Sequence, residues 1–143
     1  MIVTSILNTK GRDVRAVPAE MSVRDAARAL CEYGIGAAVV LDTTGGPAGI
    51  FSERDVLAAV ADIGGRALAL TVADLMTTDV LTCAPDDTID HVMATMTARR
   101  VRHLPVVANG VVVGVISIGD VVKSRIAEAE TEASALKAYI ASG

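Results

Sequence analysis

Aromatic residues are nearly missing from this chain: Tyr33, Phe51 and Tyr139 are the only three in 143 positions, and there is no tryptophan. A core of stacked rings is excluded, so Val, Ile, Leu, Ala and Met must fill it. Cysteine is scarce too. Cys31 and Cys83 stand far apart with no CxxC pair, which excludes a disulfide framework or zinc ribbon and leaves two plain thiols. No apolar run approaches the roughly 20 residues that cross a bilayer, and the first residues lack the basic, apolar, small-residue order of a secretory signal. A soluble, cytoplasmic protein with no membrane partner is the expectation. Excess positive charge is absent as well. The formal net charge of −4 argues against nucleic acid as a partner and obliges any anionic ligand to find a locally basic pocket. No P-loop, GxGxxG or Ser/His/Asp arrangement occurs, so no catalytic residue is assigned and an enzyme is not expected. What the chain has is 52% hydrophobic residues, enough for one compact domain or two small fused units.

Those residues repeat. "MSVRDAARALCEYGIGAAVVLD" (21–42) lies over "DTIDHVMATMTARRVRHLPVVA" (87–108) at a constant offset of 66, with Ser22 on Thr88, Ile35 on Val101 and Val40 on Val106. "GIFSERDV" (49–56) then lies over "GVISIGDV" (114–121) at an offset of 65. The lost residue falls between "TTGGP" and "NG", in turns, where a change of length does least harm.

Each copy predicts the order strand, helix, strand, strand, helix. Ser22 and Thr88 suit helix N-caps, and Val23, Ala26, Ala27, Leu30 and Ile89, Val92, Met93, Met96 recur at helical spacing. "AAVVL", "LPVV", "PAGIF" and "GVVVGVIS" are short, branched runs that predict strands, and Asn109-Gly110 predicts a two-residue hairpin turn. Ser52 and Ser117 open further helices, each with an aspartate three residues on, an arrangement that suits capping at the positive end of a helix. His91 falls off the apolar face of its helix, and Asp86, Asp87 and Asp90 suit a cap and first turn, so no metal site is assigned.

With "GIGAAVVLD…GIFSERDV", "VRHLPVVANG…GVISIGDV" and the lead-in segments "GRDVRAVPAEMSV" and "TDVLTCAPDDTI", the chain resembles a stand-alone tandem pair of cystathionine-β-synthase (CBS) domains, a Bateman module. The resemblance covers about residues 5 to 125. It implies an α/β fold of two βαββα half-repeats packed sheet to sheet with pseudo-two-fold symmetry. Expected boundaries are 1–65 for the first repeat, 66–123 for the second and 124–143 for a helical extension. It also implies a regulatory module that binds AMP, ADP, ATP or S-adenosylmethionine between the repeats. In that reading the motif aspartate holds the ribose, apolar strand residues enclose adenine and basic residues meet phosphate. The candidate nucleotide-binding residues are Ile35, Ser52, Arg54 and Asp55 in the first copy and Thr82, Arg102, His103, Ser117 and Asp120 in the second. The second copy carries Thr82, Arg102 and His103 where the first has Ala16, Gly36 and Ala37, so the better site is expected there, with Asp120 for ribose and Arg102 for phosphate. The alternative is an interaction protein whose clefts bind no nucleotide.

The tail "VVKSRIAEAETEASALKAYIASG" has no glycine or proline before its last residue. Val122, Ile126, Ala129, Ala133, Leu136 and Ile140 step by 4, 3, 4, 3, 4, a heptad seam. One long helix is predicted, packed on a second copy in a homodimer or back across its own domain. Any separate regulated protein is unidentified.

Overall fold

The computed structural model describes residues 1–142. The order is α1 (Val3–Lys10), α2 (Val23–Tyr33), β1 (Ala37–Leu41), β2 (Pro47–Ser52), α3 (Glu53–Ile63), a 3-10 helix (Gly64–Ala69), α4 (Val72–Leu75), α5 (Ile89–Arg99), β3 (His103–Ala108), β4 (Val111–Ser117) and α6 (Ile118–Ser142). The capping expected from sequence is present. Ser22 Oγ accepts the Asp25 N–H at 3.1 Å and Thr88 Oγ1 accepts the His91 N–H at 3.1 Å. β1 and β2 form one antiparallel hairpin and β3 and β4 another. Asn109 and Gly110 turn the second hairpin with φ of 53° and 77°, the two left-handed conformations that match the twist of the flanking strands.

The predicted opening strand of each copy is smaller than expected. It shrinks to one parallel bridge, Ala16 to Val39 in the first copy and Cys83 to Val106 in the second.

Two separate cores follow. Val17, Val23, Ala26, Leu30, Ala38, Val40, Phe51 and Val72 make the first, with Leu75 and Met76 packed on it. Val3, Ile6 and Leu7 of α1 belong to the second, beside Cys83, Ile89, Val92, Met96, Leu104, Val106, Ile116 and Val121. The helix that precedes the first repeat therefore packs into the second, and α4, which precedes the second, packs into the first. Backbone bonds make the exchange symmetric: the Val3 N–H donates to Asp87 O at 2.9 Å, as the Val72 N–H donates to Met21 O at 2.9 Å. Packing thus crosses the division drawn at residue 65, for α4 completes the first core and residues 3–7 complete the second. Burying a branched side chain such as Val3 or Val72, both 0% exposed, contributes about 1.5–3 kcal/mol, so the exchange fastens the two units together. At the far end the hairpin turns meet, where the Val112 N–H donates to Gly45 O at 2.9 Å.

Candidate functional site

The exchange obliges the chain to cross twice between the units, and each crossing lines a cleft. Residues 77–81, leaving α4, run past the N-terminus of α3 and face the segment that leads into β3. Gly36, Ser52, Glu53, Arg54, Thr77, Asp79, Arg100, Arg102 and His103 line that first cleft, a cavity of about 190 Å³. The other crossing leaves α1 and passes the end of β4, opposite the segment leading into β1. Lys10, Asp13, Arg15, Tyr33, Ile35, Gly36, His103, Val115 and Ser117 line this second cleft, about 420 Å³. Each cleft thus joins the Ser-x-x-Asp motif of one repeat to the lead-in segment and pre-strand turn of the other.

Both motif serines open a helix in reciprocal capping pairs. The Ser52 N–H donates to Asp55 Oδ2 at 2.8 Å, and Ser52 Oγ accepts the Asp55 N–H at 3.4 Å. The Ser117 N–H donates to Asp120 Oδ2 at 2.9 Å, and Ser117 Oγ accepts the Asp120 N–H at 3.2 Å. Asp120 has a further partner, the Lys10 ammonium, 2.7 Å from the same Oδ2. Burial raises the Asp120 carboxyl, but the Lys10 and Ser117 hydrogen bonds outweigh it and hold the pKa below the ordinary carboxylate value. His103 lines both clefts. Burial lowers its pKa, with Lys10 and Arg102 adding to the effect and Glu53 and Asp120 opposing it. At the rim of the second cleft the Arg15 guanidinium lies over the Tyr33 ring, 4.6 Å from its centroid. No group of three potential metal ligands occurs among the described residues.

Two copies of the family model for the CBS domain match residues 3–62 and 72–127. The chain belongs to the CBS domain family. A mitochondrial CBS domain-containing protein of Arabidopsis thaliana, CBSX3, is 30% identical over 149 residues, spanning 99% of this chain and 72% of that protein. A CBS-domain protein of Agrobacterium tumefaciens of solved structure is 46% identical with a TM-score of 0.83, over 87% of this chain and 92% of that one. The CBS domain pair of protein MJ0100, solved in complex with 5′-methylthioadenosine and S-adenosyl-L-methionine, is 26% identical with a TM-score of 0.75, over 91% of this chain and 98% of that one.

In this CBS pair the residues expected to form one site in the second repeat are divided. Arg102 shares its cleft with Ser52 and Arg54 of the first repeat, whereas Ser117 lies in the other cleft with Ile35. Arg102 and the Ser117 motif thus stand in different clefts: repeat equivalence relates positions by symmetry and does not make them neighbours. Thr82 is exposed and lies outside the linings of both clefts. Asp55 and Asp120 also stand behind the cleft walls, turned back onto their caps. Sequence reasoning missed Lys10, Asp13, Arg15 and Tyr33 in one cleft and Asp79 and Arg100 in the other. Arg100 left a readable signal, since it aligns with Gly34 and shares its left-handed backbone, φ 55° against 66°, a conformation that costs a non-glycine residue roughly 1 kcal/mol.

Proposed function

We propose that this CBS pair is a non-catalytic regulatory module that binds adenosine compounds, AMP, ADP, ATP or S-adenosylmethionine, in the two clefts between its repeats. The observation that carries the reading is the paired clefts themselves, each combining a helix N-terminus, apolar strand ends and basic side chains. The adenosine ligands named for the MJ0100 complex support it. The Ser52 cleft holds three guanidinium groups, those of Arg54, Arg100 and Arg102, beside Glu53 and Asp79. That cleft suits a polyphosphate, which guanidinium groups grip bidentately without losing charge. The second cleft holds a single guanidinium, that of Arg15, with Lys10 and Asp13, and so offers a phosphate chain fewer bidentate partners. Asp55 and Asp120 hold ribose hydroxyls once a ligand draws them into the clefts. Binding transmits a signal only where the ligand has different affinities for two arrangements of the repeats or of two subunits in a homodimer.

Calorimetric titration of the four compounds into wild type, Arg102→Ala and Asp120→Ala tests the reading. Hydrogen bonds to a charged group contribute about 1.5–3 kcal/mol each, so Arg102→Ala weakens ATP roughly tenfold or more, and Asp120→Ala, losing two, weakens its ligand roughly a hundredfold. Wild type that gives neither heat nor a melting shift with any of the four sinks the proposal and leaves an interaction protein with degenerate clefts.

A further inference from the structure

The two motif aspartates differ in one respect. The capping bonds of Asp55 come from Ser52 alone, whereas Asp120 carries a cation supplied by a segment 110 residues away. Lys10 ends α1, whose apolar face is locked into the second core by Val3, Ile6 and Leu7, so its stem starts from a fixed point on the wall of the second cleft. Gly11 follows with φ 102°, which turns the backbone into the crossing and leaves the lysine stem pointing at β4. The ammonium donates to Asp120 Oδ2 at 2.7 Å and to the Val115 carbonyl at 3.0 Å. In the first repeat the carbonyl matching Val115 is that of Ile50, and a backbone group, the Thr77 N–H at 2.9 Å, satisfies it. A side chain therefore does in one unit what backbone does in the other. Lys10 lines the second cleft and Asp120 lies behind it, lining instead the groove between α1 and α6 with Lys10 and Lys123.

We propose that Lys10 is the specificity-determining residue of the second cleft: it covers Asp120 in the empty protein and makes the cleft select phosphorylated adenosine ligands over the bare nucleoside. The inference rests on the adenosine reading above. A ribose diol that takes both carboxylate oxygens of Asp120 must displace the ammonium from Oδ2. Adenosine, a neutral molecule, offers that ammonium no anionic partner in return. A 5′-phosphate offers it a new anionic partner within the reach of its four-carbon stem, so the cost of displacement is recovered. The lysine is 39% exposed in its side chain, and its pairing is correspondingly weak, a gate that a ligand can open.

Titration of adenosine and AMP into wild type, Lys10→Met and Lys10→Arg tests this, with Asp120→Asn added to Lys10→Met. Methionine keeps the stem and removes the charge. Freed of an ion pair worth about 0.2–1 kcal/mol, Lys10→Met should bind adenosine roughly threefold more tightly. It should bind AMP roughly tenfold more weakly, because a charge-assisted bond to phosphate is lost. Lys10→Arg should keep the wild-type order of the two ligands, and Asp120→Asn should abolish the gain for adenosine. Opposite shifts for the two ligands support the proposal, as does adenosine binding to Lys10→Met when wild type binds none. Shifts of equal sign, or none, in a wild type that binds AMP overturn the role of Lys10 and leave the adenosine reading standing. Absence of binding by every variant overturns both.

Discussion

Leu7 sits where a side chain on Gly114 would be. A methyl group added to Gly114 would lie 2.7 Å from Leu7 Cδ2, so α1 reaches the sheet only because β4 has a glycine there. Gly49 does the same in the first unit, where an added methyl would lie 2.6 Å from Met76 Sδ. Leu7 is 1% exposed and has nowhere to retreat. Gly114→Ala is therefore expected to destabilise the fold by about 1–3 kcal/mol, the usual cost of overpacking. Leu7→Ala made alone should also destabilise. Combined with Gly114→Ala it should cost less than the sum of the two, since the new methyl fills the space leucine leaves. Denaturant unfolding of the four proteins measures the coupling, and strict additivity would disprove the contact's role.

His103 predicts how stability depends on pH. Its pKa lies below the ordinary 6.5 in the folded protein, chiefly through burial. Below that value the unfolded chain binds more protons than the folded one, so stability rises with pH through this window. The contribution is complete above about 6.5 and is lost as pH falls toward the lowered folded pKa. Melting temperature from pH 7.5 to 5.5 should fall more steeply for wild type than for His103→Gln. Parallel curves would show that burial of the imidazole has no such consequence.

The two thiols should differ sharply in reactivity. Burial, with a smaller contribution from Asp87, pushes Cys83 up to about 12, whereas Cys31 is exposed. Only thiolate attacks a disulfide reagent. Folded protein at pH 8 should release about one equivalent of chromophore from an aromatic disulfide reagent, and denatured protein about two. Cys31→Ala should be nearly unreactive until it unfolds; rapid labelling of that variant while folded would contradict the assignment.

Assembly should depend on the tail. Every residue of α6 from 129 to 142 is exposed, with Leu136 at 60% and Ile140 at 68%, so the helix does not fold back across its own domain. An apolar seam in water favours a second copy. Light scattering should give a dimer mass for the full chain and a monomer mass for a chain ending at Glu128. That end point retains Arg125 and Glu128, which bind Asp90 and the N-terminal ammonium. An unchanged mass after truncation would exclude the seam as an essential contact.

Much of the architecture is legible in the sequence alone, because its causes are local. Helical spacing after Ser22 and Thr88, the capping serines and the Asn109-Gly110 turn each act over a few residues, and their recurrence at a near-constant offset declared two like units. The continuous helix through Ser142 followed equally from a run without breakers. The clefts were legible only in their ingredients. Repeat alignment put Arg102 opposite Gly36, and both do line a cleft, but it could not say whose motif faces them. That depends on α1 and α4 changing places, a choice made by fit between distant segments, Leu7 on Gly114 and Met76 on Gly49, with no periodicity to announce it. Lys10 was invisible for the same reason. A lone lysine at a helix end reads as a solvated charge until the crossing brings it to Asp120, and distance along the chain carries no information about which carboxylate an ammonium will meet.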